Sequence, residues 1–469
     1  MIKGVFDELK KDQPKNHFTI GINDDVTHTS LEWDPAFRTD AGYGVNRCMF
    51  YGLGSDGTVG ANKNTIKIMG EETELYGQGY FVYDSKKAGA ATISHLRFSP
   101  RPIHSPYLIG DNEANFVGCH QPIFLERYDM LSAAAEGAVF LLNSPEPADK
   151  VWNTLTHTMQ QQIITKKLEF YVIDAYAIAR ATGMGNRINT IMQTCFFAIS
   201  GVLPRDVAIE KIKHAAEKSY SKKGRAVVEA NWKAIDETVA NLHKVEVPEQ
   251  ATSTHEMPET VPAFAPEFVR KITAEIMAGH GDRLPVSALP NDGTWPTGTS
   301  QWDKRNLAQE IPVWDEELCI YCGKCPFVCP HTAIRSKVFP AGMAEGAPPT
   351  FKHIQVKGKE FEQGMHISYQ VAPEDCTGCG LCVDICPAVS KVDGHKALEL
   401  RPQAPLREQE RENFRFFLTL PEFDRTQLRT STIKGAMVME PLFEFPTACV
   451  GCGETPYIRL ASQLFGDRM

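Results

Sequence analysis

CIYCGKCPFVCPHTAI (319–334) decides the fold of this chain, and CTGCGLCVDICPA (376–388) repeats it. Both runs read C-x2-C-x2-C-x3-C-P, through Cys319, Cys322, Cys325, Cys329 and Pro330, then Cys376, Cys379, Cys382, Cys386 and Pro387. Three thiolates at this interval on a tight loop can cap three irons of a cubane, and in two-cluster proteins the fourth cysteine ligates the cluster of the opposite half. The spacing therefore predicts one [4Fe–4S] cluster on Cys319, Cys322, Cys325 and Cys386, and another on Cys376, Cys379, Cys382 and Cys329. Gly323, Gly378 and Gly380 let backbone N–H groups approach the sulfurs and shift the potential. Zinc ribbons also use C-x2-C pairs, but not twin four-cysteine runs that end in Cys-Pro.

The remaining cysteines sort by position. Of thirteen in the chain, ten fall between 319 and 452. Cys449 and Cys452 form a further C-x2-C in TACVGCGETPYIRL (447–460), which completes neither a cluster nor a tetrahedral zinc site within this chain. Cys48, Cys119 and Cys195 are isolated and read as packing. The 469 residues predict about three domains. A 42% apolar and 23% charged composition excludes a wholly disordered or collagenous chain. The net charge of −9 argues against nucleic-acid and anionic-membrane binding. No apolar run approaches the ~20 residues of a membrane span, and MIKGVFDELKKDQPKNHF (1–18) has no export signal, so a cytoplasmic protein without disulfides is expected.

Residues 1–245 read as an α/β domain: short apolar strands at 18–23, 45–53, 79–84, 91–98, 116–120 and 138–144 alternate with helical patterns at 58–69, 123–135 and 147–163. LEFYVIDAYAIARATGM (168–184) supplies another strand and helix, and 204–243 is helical and amphipathic. Residues 246–304, rich in Pro, Ser and Thr, form a linker expected to wrap other surfaces because Trp295 and Trp302 need burial. An α+β dicluster domain spans 305–400 with an insertion at 337–370, followed by an arm at 401–445 and the start of something further at 446–469. YGLGSDGTVGANKNTIKIM (51–69) holds Gly52-x-Gly54-x-x-Gly57 between a strand and a helix, the setting in which glycines and a helix N-terminus cradle a phosphate. Asp84 stands late for a ribose-binding acid, and Lys86 and Lys87 after it suit a phosphate better, so the ligand need not be NAD. His95, His104 and His120, near strand ends, read as structural.

PKNHFTIGINDDVTHTSL (14–31), the loop at 51–69, GYFVYDSKKAGAATISHLRFSP (79–100), both cysteine runs and EPLFEFPTACVGCGETPYIRLASQLFGDRM (440–469) together resemble single-chain pyruvate:ferredoxin (or flavodoxin) oxidoreductases, central portion only. The resemblance implies a gamma-like α/β domain that binds coenzyme A through Ser55, Asp56, Gly57, Thr58 and Val59, with Lys86 or Lys87 and with Asn189 and Asn231. It implies medial and distal [4Fe–4S] relays on the twin runs. Cys449 and Cys452 match two of four ligands of a third, proximal cluster, and Glu454 matches a thiamine diphosphate contact. The other parts, with Mg2+ and the pyruvate-contacting residues, would precede Met1 and follow Met469. What is implied is oxidative decarboxylation of pyruvate to acetyl-CoA in a homodimer that passes electrons to ferredoxin or flavodoxin, this chain alone being inactive and contributing no catalytic residue. A free-standing dicluster carrier, a nicotinamide-linked oxidoreductase and an enzyme for another 2-oxoacid remain alternatives.

Overall fold

The computed structural model describes every residue except 38–43, 55, 84–90, 105–107, 186, 357–360 and 469, and every side chain but those of Glu72 and Asp467. It divides near Thr297/Gly298 into two compact units. In the first, a short helix α1 (Ile2–Leu9) precedes a seven-stranded sheet: β1 (Asn46–Leu53), β2 (Tyr76–Tyr83), β3 (Ala91–Ser99), β4 (Ala114–Cys119), β5 (Ala134–Asn143), β6 (Glu169–Ile173) and β7 (His243–Lys244). Their spatial order is β2-β3-β1-β4-β5-β6-β7. Strands β1, β4, β5 and β6 pair in parallel; β3 pairs antiparallel with β1 and β2 antiparallel with β3 on one side, and β7 pairs antiparallel with β6 on the other. The central strands are apolar on both faces, as parallel strands covered by helices must be. Helices α2 (Thr58–Glu72), α4 (Ala175–Ala181), α5 (Asn189–Ile199), α6 (Arg205–Tyr220) and α7 (Arg225–Asn241) share one core with the sheet. A second core on the opposite face packs Phe124, Trp152 and residues of α3 (His157–Thr165).

Three expected elements differ. Residues 18–23 form no strand; their pairing is limited to an isolated bridge between Asn23 and Pro285. The Asp24 carboxylate there gathers the N–H groups of Thr27 and Thr29, turning the chain where an extended run was expected. The helix expected at 123–135 shrinks to a 3-10 turn, Pro122–Glu126, because residues from Ala134 onward are drawn into β5 beside β4. The pattern at 147–163 splits at Thr156, whose extended backbone and hydroxyl, accepting from Met159 N, start α3 afresh. After β7 the linker lies along α3: Gln160 Oε1 accepts from the amides of Thr252 and Ser253, and His157 N donates to His255 O. Trp295 is not what holds it, being 42% exposed and edge-on to Phe268 near the short helix α8 (Ala274–Met277), and Trp302 is half-buried.

The second unit is α+β. Strand β8 (Glu310–Trp314) pairs antiparallel with β12 (Leu398–Pro402), and β9 (Ile334–Pro340), β10 (Ile354–Gln355) and β11 (Met365–Val371) form a second sheet. Helices α9 (Lys324–Val328) and α10 (Leu381–Asp384) carry the cysteines, and α11 (Arg407–Thr419), α12 (Ile433–Val438) and α13 (Thr455–Phe465) follow. Residues 337–370 are no appendage: they supply most of β9 and β11, with Phe339 and Ile367 fully buried. No helix among the described residues is long and apolar enough to cross a membrane.

Candidate cluster-binding and anion-binding sites

The twin cysteine runs cross over. Cys319, Cys322 and Cys325 line one cavity together with Cys386, from the other run. Cys376, Cys379 and Cys382 line a second, together with Cys329. Each first cysteine leads a left-handed turn into its helix. Tyr321 (φ 53°) and Gly378 (φ 66°) occupy equivalent places in the repeats, and Gly323 and Gly380 form the left-handed N-caps of α9 and α10. In this geometry Tyr321 N donates to Cys319 Sγ and Gly378 N to Cys376 Sγ, both at 3.4 Å. A Cβ at Gly323 would meet the backbone of Lys434 at 3.0 Å, so the turn has no room for a side chain.

Both cavities desolvate their sulfurs. Burial pushes the thiols of Cys319, Cys325, Cys376 and Cys379 up, and that of Cys382 up to about 12. Thiolates here need a buried cation to neutralise them, which is what iron provides. Among the described residues no three His, Cys, Asp or Glu side chains converge on a single metal ion. A mononuclear zinc would draw its sulfurs to ~2.3 Å from one point, whereas a cubane spreads them around a larger body, so the donor set suits the latter.

Cys449 is exposed and Cys452 half-buried at the start of α13, with Glu454 exposed at its N-cap. The amides of Thr455 and Glu454 hold the Cys452 thiol below its ordinary range, as a helix N-terminus does for a thiolate. This segment is strapped to the residues just after Cys329. Arg305, 5% exposed, donates to Pro446 O and Ala448 O at 2.9 and 3.1 Å, while Phe445 N donates to His331 O. Burial, then the nearby Arg305 charge, pushes His331 down to about 4, and its neutral ring bonds Pro446 O at 3.1 Å.

In the first unit the glycine-rich loop sits at the carboxyl ends of the parallel strands, where open α/β sheets bind ligands. Asp56 holds it shut: one carboxylate oxygen accepts from Leu53 N at 2.7 Å and the other from Thr58 N at 2.8 Å. Gly52 is obligatory, because a Cβ would stand 2.3 Å from Thr58 Oγ1. Gly57 (φ 92°) lies against Asn189, the first residue of α5, so the N-termini of α2 and α5 meet there. Val59 is half-buried in the first turn of α2. Asn231 lies deeper: its Oδ1 accepts from Thr190 Oγ1, next to Asn189, and its Nδ2 donates to Val227 O. Ser55, Asp84, Lys86 and Lys87 lie outside the described residues.

His120, read from the sequence as structural, lies beside this loop. It directly follows β4, its Nδ1 lies 2.8 Å from Thr58 Oγ1, and its buried Nε2 has no partner among the described residues. Burial pushes it down to about 4, so it is neutral at pH 7. Only the parallel pairing of β1 with β4 brings it to a loop 62 residues away. His95 is structural, accepting from Ile109 N, and His104 is exposed. Cys48, Cys119 and Cys195 are fully buried in the cores.

Three family descriptions match the chain: "Pyruvate ferredoxin/flavodoxin oxidoreductase" over residues 47–240, a domain of unknown function over 254–308, and "4Fe-4S dicluster domain" over 311–387 and 368–454. The whole chain is 56% identical over 478 residues to the pyruvate-flavodoxin oxidoreductase of Nostoc sp. and 52% identical over 469 residues to that of Rhodospirillum rubrum. It is 48% identical over 470 residues to the pyruvate:ferredoxin oxidoreductase of Moorella thermoacetica. In each case it spans 39% of the relative's length. From end to end, the chain is similar to the central portion of the pyruvate:ferredoxin and pyruvate-flavodoxin oxidoreductases.

Proposed function

We propose that this chain supplies the coenzyme A site and the medial and distal electron relays of an enzyme that oxidatively decarboxylates pyruvate to acetyl-CoA. The observation that carries the reading is the sorting of eight cysteines, four and four, into two cavities that each draw one ligand from the opposite repeat. Cys319, Cys322, Cys325 and Cys386 hold one [4Fe–4S] cluster and Cys376, Cys379, Cys382 and Cys329 the other. The clusters supply one-electron steps at potentials that the surrounding amides and burial adjust. Cys449 and Cys452 provide half of a proximal site, and Glu454 faces thiamine diphosphate with its Mg2+. Ferredoxin or flavodoxin takes the electrons, and the working enzyme is a homodimer.

The paired N-termini of α2 and α5 receive phosphate groups of coenzyme A, with Ser55, Asp56, Gly57, Thr58, Val59 and Lys86 or Lys87 forming the loop. Asp56 keeps the loop closed through its two backbone bonds. His120 orients the Thr58 hydroxyl. Asn189 lines the second helix start, and Asn231 positions it through Thr190.

Anaerobic reconstitution of the chain should load about eight irons and give cubane signals on reduction. Titration should show coenzyme A binding and no NADH binding. Bound zinc without cubane signals would overturn the cluster reading, and NADH binding without coenzyme A binding would overturn that of the loop. Pyruvate turnover by the chain with added thiamine diphosphate would overturn the division of labour. A free-standing dicluster carrier is the weaker reading, since it has no use for a thiolate pair set at a helix N-terminus.

A further inference from the structure

The internal repeat places a cation on the same two carbonyls of each half, but in unlike surroundings. At the end of α10, just before Cys386, Lys396 Nζ donates to Val383 O and Asp384 O at 2.8 and 3.2 Å. The equivalent carbonyls at the end of α9, just before Cys329, are Pro326 O and Phe327 O, and both accept from the Arg459 guanidinium, which also donates to Cys329 O at 3.1 Å. Lys396 is half-buried, whereas Arg459 is 2% exposed. No carboxylate among the described residues pairs with Arg459, although Glu422 and Glu440 line the same cavity; its other hydrogen-bond partner is Met437 Sδ at 3.7 Å. A buried guanidinium keeps its charge, and such a charge is costly unless an anion answers it. The helix C-terminus offers only a partial negative charge. The missing anion is at hand in the cavity to which Cys329 belongs, for a thiolate-ligated cubane is anionic and gains one more negative charge on reduction.

We propose that Arg459 is the charge partner of the cluster held by Cys329, Cys376, Cys379 and Cys382, and raises that cluster's reduction potential, while the wetter Lys396 does so far less for its counterpart. The inference rests on the cluster reading above. Arg459 projects from α13, the helix that begins three residues after Cys452, so the element next to the half-site also bears on the cluster held by Cys329. It is a positioning and tuning residue, not a catalytic one. The two nearly identical cysteine runs are made inequivalent by the burial of one cation.

The test is an EPR-monitored redox titration of the reconstituted full chain, the relevant signal being the one lost in Cys376→Ala. Arg459→Met should lower the potential of that cluster by at least 59 mV, a tenfold change in its reduced-to-oxidised ratio. The other cluster should shift much less, as should both clusters in Lys396→Met. Because Arg459→Met strands three carbonyls, Met437→Glu provides a second arm: it leaves the guanidinium bonds intact but neutralises their charge, and should lower the same potential, with Met437→Gln as the neutral control. Two cubane signals with unchanged potentials in Met437→Glu would overturn the proposal. Absence of any cubane signal in the unsubstituted chain would instead sink the cluster reading on which it rests.

Discussion

Cys386 stands ten residues beyond Cys376, yet its side chain lines the cavity of Cys319, Cys322 and Cys325. Cys386→Ala should therefore halve the iron content and abolish the same EPR signal as Cys319→Ala. If it removes the signal lost in Cys376→Ala, the crossed assignment is wrong. Each thiol was legible from spacing alone, because a tight loop presents three sulfurs to one body whatever surrounds it. The residues that answer those sulfurs were not legible. Arg459 and Lys396 carry no motif, and their equivalence appears only when both are seen at the same carbonyls. Tyr321 is a further case, since a tyrosine is an unexpected tenant of a left-handed turn whose counterpart is glycine. The strain costs about 1–2 kcal/mol, which the ~1.5–3 kcal/mol from burying a large apolar side chain can offset. At 7% exposure Tyr321 wins on packing.

At the scale of elements, the α2 entry separates two uses of glycine. Gly57 has φ 92°, and a Cβ there would stand 3.1 Å from Asn189 Cβ, whereas a Cβ on Gly60, the third residue of the helix, meets nothing within 4 Å. Gly57→Ala should cost about 1–2 kcal/mol in urea unfolding and should weaken coenzyme A binding by calorimetry, because it pushes the starts of α2 and α5 apart. Gly60→Ala should leave binding unchanged and stabilise the chain by about 0.5–1 kcal/mol through helix propensity. Equal binding losses in both variants would refute the helix-pair account. Elements with a strong local pattern were readable, among them β1, α2 and the paired helices α6 and α7. Those that failed were decided by a neighbour or a cap: β5 took residues from an expected helix, and Thr156 cut another in two. Apolar periodicity carries no record of which strand stands alongside.

At the scale of the molecule, the α/β unit buries two histidines in their neutral form. Burial pushes His95 and His120 down to about 4 from the ordinary 6.5, so the unfolded chain takes up protons that the folded one refuses. Their folded values being depressed, the stability they contribute is complete above pH 6.5 and is lost as pH falls towards 4. At pH 5 the loss amounts to about 2 kcal/mol for each. Urea unfolding of this unit should show that decline, and the double variant His95→Gln, His120→Gln should flatten it. An unchanged pH slope in the double variant would refute the assignment. By itself the sequence determined the chemistry: two sets of four sulfurs, a glycine loop before a helix and an incomplete thiolate pair all follow from local spacing, which folding does not alter. Only the tertiary structure decided which residues serve that chemistry from afar, His120 behind Thr58, Arg305 and His331 beneath the last C-x2-C, Arg459 against Cys329. Burial and charge compensation are properties of surroundings, and surroundings are assembled from segments that the chain keeps far apart.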